Sequence, residues 1–208
     1  MIFIRITISL ELLFILLVSS TCRKNCIEKN YSFSINVNAR PNLDSININD
    51  TIWLELDTPT LLTDINSGNP IEYSSAANLS TVIQAGRFVG GSVLNPGVVD
   101  ADNEFEFVVV KGSALQNNNP GVITEIKPLE NNGHYLIKCG IIPKIKATYG
   151  IAISNAVNVY RITEKCDKAG FSITFANTNQ HLYLYEQNRP GYTLSEYERT
   201  HMYCFKVK

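Results

Sequence analysis

The stretch GHYLIKCGIIPKIKATYGIAIS, from Gly133 to Ser154, carries the strongest signal for the fold. An Asn-Asn-Gly turn introduces its first apolar segment, and the charged segment 144–146 separates that segment from the second. Tyr149 begins the second segment just after this charged turn. The position resembles the tyrosine corner of Greek-key sandwiches, in which the hydroxyl group bonds to upstream backbone. The stretch therefore predicts two strands and favours an immunoglobulin-like sandwich over a barrel.

Period-two alternation continues on both sides of this stretch. YSFSINVNA (31–39) places Phe33, Ile35 and Val37 on one side, and SININDTIWLELDTP (45–59) predicts a hairpin with a turn at Asn49-Asp50. Turn signals recur every 8–12 residues or so, as in sandwiches and barrels. The sequence thus predicts an all-β protein with an immunoglobulin-like, Greek-key β-sandwich.

The first 21 residues have the layout of a secretory signal, with Arg5 near the start, an apolar run over 12–18, and small residues before Cys22. VSSTC resembles a bacterial lipobox, in which cleavage just before the cysteine leaves it to carry the lipid. We predict a lipoprotein signal peptide over 1–21, an anchor and short tether over 22–30, and one domain over 31–208. A multiply acylated Cys22 would hold the protein stably at a membrane.

Cysteine usage agrees with an exported protein. The chain has five cysteines, and lipidation of Cys22 leaves an even set of four, as disulfides require in an oxidising compartment. Our preferred pair is Cys166 with Cys204, which would attach the tail to the sandwich. Cys26 and Cys139 would then either pair or remain free.

Charge and motifs exclude several functions. Lys and Arg number 18 against 19 Asp and Glu, so the basic stripe of a nucleic-acid binder is missing and we expect no nucleic-acid partner. The segment DADNE (100–104) alternates oxygen donors, but Phe105 and Lys111 stand where a calcium loop needs Gly and Glu. It therefore predicts an acidic turn before a strand, and we expect no metal site.

The sequence gives no support for catalysis. No nucleophile elbow is present. His134 is expected in a solvated turn, His201 as a surface imidazole, and Cys204, three residues further on, as half of a disulfide. We expect no enzymatic activity and no cofactor.

The tail over 166–208 is predicted to form a strand–turn–short helix–strand extension. HLYLYE (181–186) alternates like a strand, and Thr193 with Glu196 forms a capping-box pattern for a helix of about two turns. Aromatic and arginine side chains are efficient contact residues, so the candidate ligand-binding residues lie here: Tyr183, Tyr185, Arg189 and Tyr192. If Tyr183 and Tyr185 point outward they form an exposed ladder, and if they point inward they close the core.

The lipobox-like SSTC, the strand pair INDTIWLELDTP, the segment GIIPK and above all NTNQHLYLYEQNRPGYTLSEYERTHMYCFKV (177–207) make the chain similar to uncharacterised cell-envelope lipoproteins of Bacteroidetes-type bacteria. The resemblance covers most of the mature chain. It implies a membrane-anchored location, most readily at the outer membrane, and it implies no activity.

Three functions follow as hypotheses. The leading one is a lipid-anchored structural or protein-interaction module with an envelope protein as partner. The first alternative is a glycan- or peptide-binding lipoprotein that uses the aromatic residues of the tail, and the second is an enzyme of unrecognised type.

Overall fold

A computed structural model describes residues 26–90, 97–115, 124–189 and 191–208. The predicted signal peptide over 1–21 and the predicted lipidation site Cys22 lie outside the described residues.

Most of the described residues lie in strands. In chain order these are β1 (Lys29–Arg40), β2 (Ser45–Ile46), β3 (Ile52–Pro59), β4 (Leu61–Thr63), β5 (Pro70–Glu72), β6 (Ala76–Ala77), β7 (Thr81–Phe88), β8 (Val98–Asp100), β9 (Phe105–Lys111), β10 (Ser113–Leu115), β11 (Thr124–Lys127), β12 (Leu129–Asn131), β13 (His134–Pro143), β14 (Thr148–Ile153), β15 (Ala156–Arg161), β16 (Asp167–Phe175) and β17 (Met202–Val207). A 3-10 turn covers Asp102–Glu104, and the α-helices are α1 (Tyr183–Asn188) and α2 (Glu196–His201).

Two large sheets form the sandwich in the described part of the chain. Sheet I has the order β12-β13-β3-β1-β16-β15-β6, with β9 also paired to β13. Sheet II has the order β10-β11-β7-β14-β17-β2, with β8 also paired to β7. β1 runs parallel to β16, and β17 runs parallel to β2, whereas the other pairs in both sheets are antiparallel. These parallel pairs distinguish the sandwich from an entirely antiparallel immunoglobulin domain.

The facing sides of the two sheets form one hydrophobic core. β1 buries Phe33, Ile35 and Val37 and leaves the residues between them more accessible, as its alternation predicts. The core side of sheet II presents residues such as Ile151 and Phe205, both fully buried. The prediction of an all-β sandwich is confirmed.

Tyr149 occupies the corner position that the sequence indicates. Its hydroxyl group lies 3.0 Å from the carbonyl oxygen of Ile145, four residues upstream, and 2.6 Å from Oε2 of Glu104. Oε1 of Glu104 also forms an ion pair with Nη1 of Arg87, at 3.0 Å. Burial, and then the neighbouring Glu104 carboxylate, raises the pKa of Tyr149, so the hydroxyl stays protonated and donates a hydrogen bond at the sandwich edge.

The tail departs from the predicted secondary structure in two respects. The segment predicted as a strand over 181–186 is largely helix, because α1 begins at Tyr183. The predicted short helix is present as α2, but its cap is Ser195 with Glu198 rather than Thr193 with Glu196. β17 then enters sheet II between β14 and β2, so the end of the tail belongs to the sandwich itself.

The predicted pairing of Cys166 with Cys204 is wrong. Cys166 forms its disulfide with Cys26, at a Cα–Cα distance of 5.9 Å. The parallel register of β1 and β16 pairs Lys29 with Asp167, and this places the residues just before both strands side by side. Cys204 lies within β17 of sheet II, buried and free, and Cys139 is also buried and free.

Candidate functional site

The outer face of sheet II carries a second hydrophobic cluster beneath the helical segment. Its buried members are Phe88, Leu184, Tyr185, Leu194, Met202 and Cys204. They come from β7, β17, α1 and the loop between the helices. α1 and the loop that follows it therefore cover part of the outer face of sheet II.

A cavity of about 330 Å³ remains where this cover meets β7, β8 and β14. Gly86 and Gly150, paired across β7 and β14, lie at its base, together with Ala152. A Cβ atom on Gly86 would lie 2.8 Å from Cγ1 of Val98, which is closer than such atoms approach. A Cβ atom on Gly150 would lie 3.0 Å from Cζ of Phe88. Glycine at both positions lets the apolar walls pack close to the sheet.

An apolar group also lies at the mouth of the cavity. Val99 lines it and is 39% exposed. The charged groups of the lining are Asp100 on β8 and Arg189 after α1. The site thus combines an apolar interior with one group of each charge.

Three of the four predicted ligand-binding residues come together here. Tyr185 and Arg189 line the cavity, and Tyr192 packs edge-on against Tyr185 with ring centroids 5.8 Å apart. Tyr185 is buried, in edge contact with Phe88 at 5.3 Å. Tyr183 points elsewhere, because its hydroxyl group donates to Asp44 over 2.7 Å. The residues form no exposed tyrosine ladder, since helical geometry separates the side chains that strand alternation would align.

Arg189 is held by the two aromatic rings. Its guanidinium carbon lies 3.8 Å from the ring centroid of Tyr192 and 5.0 Å from that of Tyr185, and Nη1 donates to the hydroxyl group of Tyr185. Stacking on aromatic faces suits the flat, weakly hydrated guanidinium. The charge is therefore fixed in place at the edge of the cavity.

Glu198 anchors this arrangement from α2. Its carboxylate accepts from the backbone N–H of Ser195 at 2.8 Å, from the Ser195 hydroxyl at 2.7 Å and from the Tyr192 hydroxyl at 2.9 Å. The hydroxyl of Tyr185 lies 3.3 Å from the same carboxylate. Burial opposes ionisation of Glu198, but these hydrogen bonds outweigh it and lower its pKa. The helix cap and the cavity wall therefore share one ionised group.

The buried histidines and thiols lie apart from the cavity lining. The prediction of His201 as a surface imidazole is wrong: it is buried, with Nε2 2.7 Å from Oδ1 of Asn155, and it stacks on Tyr197 at 3.8 Å. His181 is also buried, and Nδ1 lies 3.2 Å from the carbonyl oxygen of Cys204. Burial raises the pKa of the Cys139 thiol to about 12, and burial also raises the pKa of Cys204, so both thiols stay protonated and unreactive. His134, in contrast, is exposed and lies 2.7 Å from Oδ1 of Asp57.

The acidic turn divides its carboxylates between solvent and interior. Asp100 is exposed, whereas Asp102 and Glu104 are buried, and Oδ1 of Asp102 accepts from the backbone N–H of Ala85 at 2.6 Å. Within the described ranges no cluster of three His, Cys, Asp or Glu residues has the geometry to hold a metal ion. The buried carboxylates instead attach the turn to β7 and to the Tyr149 corner.

Most of the cavity lining was not predicted from the sequence, although small residues on two strands indicate it. On the outer face of β7 and β14, where an exposed sheet carries polar groups, the chain places Gly86, Gly150 and Ala152. Small residues in a row on a strand face indicate close approach by another layer. Phe88 and Met202 complete the walls from the neighbouring positions.

Comparison with models of protein families, with curated proteins and with solved structures finds no match. No helix within the described ranges has both the length and the apolar character needed to cross a bilayer.

Proposed function

We propose that this chain is a lipid-anchored protein-interaction module of the bacterial cell envelope, which takes one apolar side chain of a partner polypeptide into the cavity over sheet II. The carrying observation is the cavity itself, apolar in its walls and floored by Gly86 and Gly150. Its volume of about 330 Å³ lies at the low end of ligand pockets, which span roughly 300–1,000 Å³. This space suits one branched or aromatic side chain.

The partner is a polypeptide rather than a glycan. Sugar recognition uses open aromatic faces together with convergent hydrogen-bonding groups, whereas Tyr185 is buried and Arg189 covers the ring of Tyr192 at 3.8 Å. Val99, which lines the cavity, is also 39% exposed and offers an apolar group at its outer side. A partner backbone lying across the mouth would cover Val99 as its side chain enters the cavity.

Filling the cavity tests this function. We would replace Ala152 by Phe, because Ala152 lines the cavity and the change leaves both glycines in place. The matched control is Val157→Phe, which introduces the same aromatic side chain on β15 of sheet I at a residue that is already 69% exposed.

Each variant would carry a photo-reactive phenylalanine analogue at position 99 in the full-length protein, expressed in its own cells. We expect a discrete protein adduct that Ala152→Phe abolishes and Val157→Phe retains, with both variants folded by circular dichroism. A persisting adduct after the cavity has been filled contradicts the proposal, and so does the lack of any protein adduct.

The anchor is tested separately at Cys22. Replacement of Cys22 by Ala removes the thiol that would carry the lipid, so we expect the protein to move from the membrane fraction to the soluble fraction. Unchanged membrane association of this variant would disprove lipidation as the anchor while leaving the cavity result intact.

A further inference from the structure

Arg189 has an unusual status in the cavity wall because its charge is fixed but not paired. Among the described residues its guanidinium makes no ion pair, and its one hydrogen bond goes to the Tyr185 hydroxyl. Arginine has five N–H donors arranged in a rigid fork. Most of these donors therefore remain open to a ligand.

Two acids of the helices are already engaged with other groups, Glu186 with Arg199 at 3.9 Å. Glu198 accepts hydrogen bonds from Ser195, Tyr192 and Tyr185, so its lone pairs point to the helix cap and the two rings. Its charge acts on Arg189 through space without a contact. Asp100, the acid of the cavity lining, accepts from the backbone N–H of Asp102 at 3.0 Å. None of these acids neutralises the guanidinium by direct pairing.

The immobilisation of Arg189 reduces the entropic cost of binding an anion. A free arginine loses side-chain rotamer freedom when it orders around a ligand. Here Tyr192 and Tyr185 hold the guanidinium plane before any ligand arrives. A planar fork of this kind matches the two oxygens of a carboxylate.

We infer that the cavity recognises an apolar residue together with an adjacent carboxylate, the apolar side chain entering over Gly86 and Gly150 and the carboxylate binding Arg189. This inference rests on the proposed function and names the chemistry of its partner. The carboxylate is chosen because it complements the positive charge of Arg189, which lines the same cavity as the apolar walls. The C-terminal residue of a partner joins both features on one carbon, and an internal Asp or Glu beside an apolar residue offers the same carboxylate.

Matched peptides distinguish a C-terminal carboxylate from the side-chain carboxylate of an internal residue. Fluorescent peptides ending in Leu, Met, Phe or Trp would be made as the free acid, as the C-terminal amide, and as an amide in which Glu follows the apolar residue. Binding to the full-length protein would be measured by fluorescence anisotropy. We expect the free acid to bind about 10- to 100-fold more tightly than the amide, as a charge-assisted bidentate contact provides.

Three arginine variants assign the effect. Arg189→Gln should remove the acid preference, Arg189→Lys should keep part of it, and Arg199→Gln, an exposed arginine on α2 outside the lining, should leave it unchanged. Raising the salt concentration should reduce the preference of the unmodified protein. Thermal melting of each variant checks that the helical cover is intact.

The outcomes separate the two proposals. Equal affinity for acid and amide peptides, both weakened by Ala152→Phe, overturns the carboxylate inference and leaves the apolar cavity standing. Failure of every peptide in the set to bind overturns the proposed function and the inference with it. Equal gains from the free acid and the internal Glu support the shared carboxylate chemistry, whereas a gain confined to the free acid assigns the C-terminus.

Discussion

Removal of the Cys26–Cys166 disulfide should strongly destabilise the sandwich. The two residues are separated by 140 positions, so the bridge closes a large loop in the unfolded chain. In the chain-entropy account a loop of that size loses about 17 cal/mol/K, equivalent to about 5 kcal/mol at 25 °C. Removal of native disulfides from small exported domains costs about 2–5 kcal/mol in practice. For a domain of this length, about 2–4 °C is lost per kcal/mol, so we expect a fall of roughly 4–20 °C in Tm.

The measurement compares the oxidised protein with the Cys26→Ser/Cys166→Ser double variant by thermal and urea unfolding. Both substitutions are needed, since one remaining thiol could exchange with other cysteines. The control is a reducing agent: it should lower the Tm of the unmodified protein to that of the double variant and leave the double variant unchanged. The buried thiols Cys139 and Cys204 are already reduced, so they contribute nothing to this difference.

A Tm of the double variant within about 2 °C of the oxidised protein would refute this reasoning, because it lies below the smallest loss expected. It would mean that pairing of β1 with β16 holds the two chain segments together without the bridge. The slope of the urea transition provides a second check, since an uncrosslinked unfolded chain exposes more surface and should steepen it.

Three further predictions concern single side chains. Tyr149→Phe removes the corner hydroxyl, so a buried acceptor on Glu104 loses its donor, and the free energy of unfolding should fall by about 1–3 kcal/mol. The control Tyr160→Phe should change the free energy of unfolding by less than about 0.5 kcal/mol. Both values would be measured by urea titration. Glu198→Gln should cost about 1 kcal/mol through the helix cap. Because folding lowers the pKa of Glu198, its contribution to the free energy of unfolding is present above its unfolded pKa and is lost as the pH falls through its folded pKa. Plots of unfolding free energy against pH for the unmodified protein and Glu198→Gln should therefore converge in acid. Parallel plots would contradict this. Burial lowers the pKa of His201, although the carbonyl of Tyr197 favours the charged form. The unfolded chain therefore binds the proton more readily than the folded protein, and the free energy of unfolding should fall as the pH drops below about 6.5. His201→Gln should flatten this pH dependence in thermal melts from pH 7.5 to 5.

Period-two alternation was sufficient to predict the sandwich, because one face of each long strand is buried. β1, β3 and β13 show it with little ambiguity, and their apolar residues are those that fill the core. The same rule failed for residues 181–186. Alternating Leu and Tyr residues are apolar at every position, so the pattern does not distinguish a strand from a short helix. Packing on sheet II favours the helix, since α1 buries the neighbouring residues Leu184 and Tyr185 against the outer face of that sheet.

Two other features needed contacts that are distant in the sequence. The pattern Ser/Thr-x-x-Glu occurs both at Thr193 and at Ser195, and local sequence offers no reason to prefer the second as the cap. The pairing of Cys26 with Cys166 depends on the parallel register of β1 with β16, which loop lengths and hydrophobic patterns do not encode. The cavity was partly predictable, because Tyr185, Arg189 and Tyr192 were chosen for their chemistry, whereas its glycine floor follows from packing between layers.

The central positions of β1 and β17 set the order in which the protein can fold. β1 lies between β3 and β16, and β17 lies between β14 and β2, so each sheet needs a strand from each end of the described chain. Residues 202–207 must be free before sheet II can be completed, and contacts of such long sequence separation form slowly. A chain whose residues 202–207 have not yet emerged from the ribosome would therefore lack the strand that lies between β14 and β2, and sheet II would be incomplete.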